Sequence, residues 1–418
     1  MKKVYVYVQE SCERRLLDAK RVCNYLSKNN YEIVNTPKKA DIIFFITCGF
    51  LRKVTEDSLE NVKKFQKYDA ELIVAGCIPE IVPDELAKIF NGKTISTKDI
   101  DRIDEIFPDV KIRFCDIPDG NIKFEYKPQV GLINELIQLR FNVEWLDKVY
   151  TKVKLRVLKY LLGEHSNLYR YFTRGSSLYH IRICRGCMNN CSYCVIKKAV
   201  GPFKSKPFDE CIKEFKDGLS QGYKYFVLTG DDTGAYGIDI GRSFPELLKA
   251  IIEHPGDYEI ILRSLNPQWV VKYIDELENI FKTGKIESAD IPIQSMSSRI
   301  LKLMNRYSNT EKVRDAILRL KEASPSVKLN TCYILGFPTE TREELEDTLN
   351  FIDEMNFSGH IFPFSCEKNS KIEKIVNRDT YDIDEVNRKI KYAKNFLKKR
   401  GYKITFLKNT QAYLFDRD

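Results

Sequence analysis

Cys187-Met188-Asn189-Asn190-Cys191-Ser192-Tyr193-Cys194 places three thiols within eight residues, just after the short apolar run at 179–183. A loop this tight can wrap three thiolates round one metal centre, and it offers no fourth protein ligand at the same spacing. Structural zinc sites usually pair one CxxC with a second pair a dozen or more residues away. Iron–sulfur clusters are held by cysteine thiolates in short runs of this kind. The run therefore points to a cluster with one iron left open to chemistry. A zinc-binding nucleic-acid module is the alternative from another class.

Three further cysteines share a different kind of position. Cys12, Cys48 and Cys77 each follow an apolar, β-rich run, at Val4–Val8, Asp41–Thr47 and Glu71–Ala75, and helix-like stretches lie between (Leu16–Ser27 and Ser58–Lys67). Strands alternating with helices predict a parallel sheet covered by helices. Ligands gather beyond the carboxyl ends of such strands, so one rim would receive three thiols, a second metal site. Cys23 falls mid-helix on an apolar face and reads as an ordinary buried thiol.

Residues 178–370 alternate again. Strands are expected at His180–Ile183, Tyr225–Leu228, Tyr258–Arg263, Ala289–Ile293, Val327–Leu335 and His360–Phe364. Helices such as Pro207–Gln221, Arg299–Asn305, Glu311–Ala323 and Arg342–Met355 separate them. Six βα units starting at the cysteine loop predict a parallel partial barrel whose strand ends face the cluster. The fold class is thus α/β: a parallel α/β domain (1–100), a mainly helical basic linker (101–177), a partial (βα)6 barrel (178–370), and a charged helix at 384–399 with a short tail (371–418). In the linker, Pro118-Asp119-Gly120 reads as a turn and Gly131–Leu162 mainly as helix. Lys148–Arg174 carries seven Lys/Arg against one acid, Glu164, interleaved with aromatics such as Tyr150 and Tyr169. Such a stretch can grip RNA or an acidic peptide, or be a solvated helix.

A chain of 418 residues, 43% hydrophobic and 30% charged, is a globular chain too long for one ordinary core. No apolar run approaches the ~18–20 residues of a membrane span, and the N-terminus lacks a signal-peptide pattern. A cytoplasmic location follows as the expectation, with twelve cysteines read as metal ligands or reduced thiols. Net charge +9 permits an anionic partner without requiring one.

The cysteine loop resembles the CxxxCxxC signature of radical S-adenosylmethionine (SAM) enzymes, and further stretches narrow the likeness to methylthiotransferases. Gly186–Cys194 is similar to that family's GCNNxCSYC, Leu228–Gly237 to its LTGQDTTAYG, Asp290–Gln294 to its LDIPLQ, Met304-Asn305-Arg306 to its MNR, and Leu335–Thr341 to its VGFPGET. Thr47–Phe50 resembles NTCGF and Ala75–Cys77 resembles TGC. The chain departs from the pattern at Ile46 and Arg15, where the family has Asn, and at Ile196-Lys197 and Val200-Gly201. Cys184 is an extra thiol, read as a bystander. The 371–418 segment leaves no room for the family's terminal TRAM barrel.

The resemblance implies two 4Fe–4S clusters and SAM as cofactors. Cys187, Cys191 and Cys194 would hold the cluster that cleaves SAM to a 5′-deoxyadenosyl radical. Cys12, Cys48 and Cys77 would hold the cluster that donates sulfur. Thr229, Gly230 and Asp231 occupy the family's loop for the SAM amino group, Tyr193 would lie against the adenine, and Gln294 would face the pocket. The implied activity is sulfur and methyl insertion at an unactivated C–H. The 231–237 stretch is most like ribosomal-protein-modifying members. It favours a peptide or protein substrate, such as a ribosomally synthesised precursor peptide, with tRNA as the alternative. An electron donor such as flavodoxin or ferredoxin and a sulfur source would complete the system. A radical SAM enzyme without methylthiolation would need only the barrel cluster.

Overall fold

The computed structural model describes residues 1–9, 12–119, 121, 178–374, 376, 382–407 and 410–417. The segment 131–162 and the basic 148–174 stretch lie outside the described residues. In the first domain β1 (Lys3–Val8), β2 (Glu32–Ile33), β3 (Ile42–Thr47), β4 (Glu71–Gly76) and β5 (Lys93–Ser96) form one sheet in the order β2-β1-β3-β4-β5. Every pairing is parallel. The central strands read as near-continuous apolar runs because helices cover both faces. Helix α1 (Glu13–Lys28) lays Ala19, Val22, Tyr25 and Leu26 on the face made by Val4, Val6, Val8, Phe44 and Ile46. Helix α2 (Arg52–Phe65) lays Val62 and Phe65 on the opposite face, against Tyr5, Tyr7 and Phe45.

Three details differ from the sequence reading. Helix α2 begins at Arg52 rather than Ser58, its polar first turns tied by the Arg52–Glu56 and Lys53–Asp57 pairs one helical turn apart. The edge strands β2 and β5 are too short and polar to show a period. The first core also runs past residue 100, taking in Phe107, Phe114 and Ile117.

The second sheet starts with β6 (Leu178–Arg182). A small antiparallel pair, β7 (Cys184–Arg185) and β8 (Lys204–Ser205), brackets the cysteine loop. Then β9 (Tyr225–Thr229), β10 (Glu259–Leu262), β11 (Ile286–Asp290), β12 (Lys328–Leu335) and β13 (Ser358–Pro363) follow β6 in sequential parallel order. This is the expected partial barrel. The tail after the helix Ile383–Lys399 does not simply trail away: β14 (Lys403–Leu407) and β15 (Ala412–Asp416) make an antiparallel hairpin that extends the sheet from β13. Strand β11 stops three residues before the expected Ile293. Pro292 cannot donate to a ladder, and its carbonyl is taken by Arg306 Nη2 at 2.6 Å.

The two units share a hydrophobic cluster. Ile78 and Ile81, which follow β4, pack with Val195 and Ala199 from the barrel's first short helix, Ile196–Val200, and its N-cap. Polar ties cross the same seam. Lys98 N–H donates to the Ala199 carbonyl at 2.9 Å, Asn369 Nδ2 to the Ile81 carbonyl at 2.9 Å, and Lys368 pairs with Glu85.

Candidate active site

Cys48 and Cys77 directly follow β3 and β4, whose register aligns Thr47 with Gly76. Cys12, four residues past β1, is the N-cap of α1. The three thiols thus stand beyond the carboxyl ends of three adjacent parallel strands. A hydrogen bond from Cys48 and the nearby Arg15 guanidinium hold the Cys77 thiol below its ordinary value against its burial. Arg15 is itself buried. It is fixed by Asp18 at 3.2 Å and by Thr97 Oγ1, the hydroxyl that also lies 3.7 Å from Cys77 Sγ.

The barrel's cysteine loop is clamped by the segment Leu303–Arg306. Ser192 N–H donates to the Met304 carbonyl at 2.9 Å and Ser192 Oγ to the Leu303 carbonyl at 2.8 Å. Asn305 Nδ2 donates to the Asn190 carbonyl at 2.8 Å. Arg306 Nη1 reaches Cys191 Sγ at 3.6 Å and the Tyr193 hydroxyl at 3.5 Å. On the other side Asn189 Nδ2 donates to Cys187 Sγ at 3.7 Å and to Asp232 Oδ2 at 2.7 Å, while Trp269 Nε1 donates to Asp232 Oδ1 at 2.9 Å. Donors aimed at two of the three sulfurs suit thiolate ligands. Burial pushes Cys187 up to about 12 and Cys194 in the same direction, so these thiols would ionise against a metal's own positive charge. Among the described residues no three His, Cys, Asp or Glu side chains converge on a point where one metal ion would sit. A four-iron cluster places each thiolate on a separate iron.

The residues expected round SAM divide. Thr229 is buried and lines the barrel cavity. Gly230 lies where a Cβ would come within 2.4 Å of Cys184 Sγ, and its carbonyl accepts from Arg14 Nη1 at 3.2 Å. Asp231 pairs with Arg14 Nε at 3.0 Å through one oxygen and accepts the Gly186 N–H at 2.9 Å through the other. Tyr193 packs against the apolar cluster that contains Met304, Phe337 and Phe364. Gln294 is buried, with its Oε1 unpartnered and its backbone at φ +74. Its N–H donates to the Cys332 carbonyl at 2.8 Å, and its carbonyl accepts from Ile334 at 3.1 Å. A left-handed non-glycine residue held from both sides is the kind of strain that collects at functional sites. Cys184 is buried, its sulfur donating to the Asp232 carbonyl at 3.5 Å.

A cavity of about 490 Å³ occupies the barrel lumen, and Cys12, Glu13, Thr229, Arg263, Asp290 and His360 lie on its wall. Arg263 pairs with Asp290 at 2.6 Å and Glu13 at 3.8 Å, and Glu13 stands 3.3 Å from His180 Nε2. Burial lowers both His180 and His360, so each ring is neutral near pH 7. Of the six cysteines, Cys12 alone is on this wall. Sequence reasoning assigned no role to Arg306, Asn189 or Asp232. Arg306 was visible only as the last residue of the MNR-like triplet.

The Radical SAM superfamily model matches residues 181–352, and the model of Uncharacterized protein family UPF0004 matches residues 5–96. The ribosomal protein uS12 methylthiotransferase RimO of a Thermoanaerobacter species is 29% identical over 405 residues, covering 93% of this chain and 84% of that protein. Its counterpart from Thermodesulfovibrio yellowstonii is 28% identical over 378 residues, covering 88% and 77%. Among solved structures, the radical SAM methyltransferase TsrM from Kitasatospora setae matches with TM-score 0.56 at 12% identity, over 87% of this chain and 73% of its own. The cobalamin-dependent SAM radical enzyme OxsB matches with TM-score 0.53 at 12% identity, over 100% and 64%. These two likenesses are of fold.

Proposed function

Because this chain belongs to the radical SAM methylthiotransferase family, we propose that it inserts a methylthio group at an unactivated C–H of a peptide or protein substrate. Enzymes of this family bind two 4Fe–4S clusters and SAM. In this reading Cys187, Cys191 and Cys194 hold one cluster and Cys12, Cys48 and Cys77 the other. When bound, these groups supply one-electron cleavage of the SAM sulfonium and a transferable sulfur. The observation that carries the reading is Cys12 on the wall of the barrel cavity beside Thr229, at the ends of the strands. A substrate atom held there would face Cys12 of the sulfur-donating set, with Thr229 of the SAM loop on the same wall.

The chain's own groups then have plain tasks. Arg306 and Asn189 donate to the sulfurs of Cys191 and Cys187, orienting them and tempering their charge. Arg15 supplies positive charge beside Cys77 and Cys12. The start of α1 contributes Glu13 and Arg14 to the wall of the lumen. That wall is polar and aliphatic, with the fixed charges of Glu13, Arg263 and Asp290. These are groups that can hydrogen-bond a peptide. The RimO relatives are named for a protein substrate, ribosomal protein uS12.

The test is to incubate reconstituted enzyme, SAM, a reductant and a sulfide source with three substrates in parallel: ribosomal protein uS12, peptides encoded nearby, and total tRNA. A methylthio mass increase on protein or peptide supports the proposal. The same increase on tRNA alone overturns the substrate assignment.

A further inference from the structure

The residues just after Cys12 are unusually committed. Glu13 faces His180 and Arg263 in the barrel. Arg14 spans two barrel loops: its guanidinium pairs with Asp231 at 3.0 Å, donates to the Gly230 carbonyl at 3.2 Å and lies 3.3 Å from Ser264 Oγ. Arg15 turns back into its own domain toward Thr97 and Asp18. Asp231 passes the connection on, because its second oxygen holds the Gly186 N–H at 2.9 Å. Gly186 has φ +73, and a Cβ there would meet the Pro202 carbonyl at 2.0 Å, so this turn has no slack.

We propose that the Arg14–Asp231 pair is a positioning device that fixes Cys12 relative to the barrel's cysteine loop, and so governs transfer between the two centres rather than either centre alone. The route runs two residues from Cys12 to Arg14, across one carboxylate, and one residue from Gly186 to Cys187. Oδ2 of Asp231 is held by the Gly186 N–H, and Oδ1 faces Arg14 Nε as an ion pair without a hydrogen bond of its own. The family-like pattern has Gln at this place, which can accept an amide N–H but cannot ion-pair. Asp231 in this chain adds the charge that Arg14 answers. A planar guanidinium that faces Asp231 through Nε and the Gly230 carbonyl through Nη1 is also stiffer than a lysine contact. A misplacement of about 1 Å between reacting groups can cost about 100-fold in rate.

The inference rests on the methylthiotransferase reading, and its test separates the two. Wild type, Arg14→Gln and Arg14→Lys are reconstituted and compared for iron per chain, 5′-deoxyadenosine formed, methylthio product, and spin–spin broadening between reduced clusters in the EPR spectrum. Arg14→Gln is expected to keep its iron and its deoxyadenosine yield. Its product per deoxyadenosine should fall by about ten- to 100-fold, with altered broadening, and Arg14→Lys should recover part of both. An unchanged ratio and spectrum in Arg14→Gln overturns the proposal, as does iron loss from both variants, which would make Arg14 part of the holding of a cluster. If wild type modifies no substrate, the methylthiotransferase reading fails instead, while the EPR comparison still reports on spacing.

Discussion

The candidate thiols stand out in the sequence because ligands brought in by one loop must be close along the chain. Cys187, Cys191 and Cys194 announce themselves by spacing alone, and Cys12, Cys48 and Cys77 by sharing strand ends. Replacing the latter three by serine should halve the iron bound per chain after reconstitution and abolish sulfur insertion, while deoxyadenosine still forms. Iron assay and product mass check this together. What spacing cannot show is who answers whom across the fold: Arg306 lies 115 residues from Cys191, and Asp231 meets Arg14 only because two domains close on each other. Cys184 is a smaller case. Read as a bystander from the sequence, it has a packing role in the structure, where its sulfur fills the space a Gly230 side chain would need. Gly230→Ala should therefore destabilise the metal-free protein by about 1–3 kcal/mol through overpacking. Cys184→Ala/Gly230→Ala should cost less than the sum of the single changes, read as coupling in a denaturant double-mutant cycle.

Element by element, the central strands of the first sheet were readable because burial on both faces leaves near-unbroken apolar runs, and the helices because amphipathic periods separate them. The elements that escaped had little signal: the two-residue β2, the polar β5, and the β14–β15 hairpin, whose strands are only five residues each. The loop between β12 and the helix Arg342–Glu354 shows what such motifs conceal. Glu340, in the VGFPGET-like stretch, is a buried acid, with Oε2 accepting the Gly336 N–H at 2.8 Å and Oε1 unpartnered. Burial raises it from 4.5 to about 7, against the pull of that N–H and of Lys389. A raised carboxyl pKa means the folded state binds the extra proton. Its stabilising contribution is complete below pH 4.5 and is lost as pH rises through 7. Glu340→Gln stays neutral and keeps an acceptor for Gly336. Wild type should therefore lose about 2–3 kcal/mol relative to this variant between pH 5 and pH 8, measured by urea unfolding at both values.

At the scale of the whole molecule two devices join the domains, and they differ in kind. Ile78, Ile81, Val195 and Ala199 form a continuous apolar core across the seam, and burial of that sort supplies most of the free energy of association. The ion pairs, Arg14–Asp231 and Arg182–Asp18 at 2.5 Å, repay much of their attraction in desolvation and contribute register more than stability. The two roles can be pulled apart. Ile81→Ala removes buried methyl groups from the seam at a residue 3% exposed, four positions from Cys77, and touches none of the charges. It should lower the stability of the metal-free protein by about 2–4 kcal/mol and leave product per deoxyadenosine close to wild type in fully folded, reconstituted enzyme. Arg14→Gln should do the reverse, with a small change in unfolding and a large one in coupling. Denaturation curves and product ratios on the two variants decide the matter. If Ile81→Ala uncouples transfer as strongly as Arg14→Gln does, registration is a property of the entire seam and the charged pair has no separate part in it.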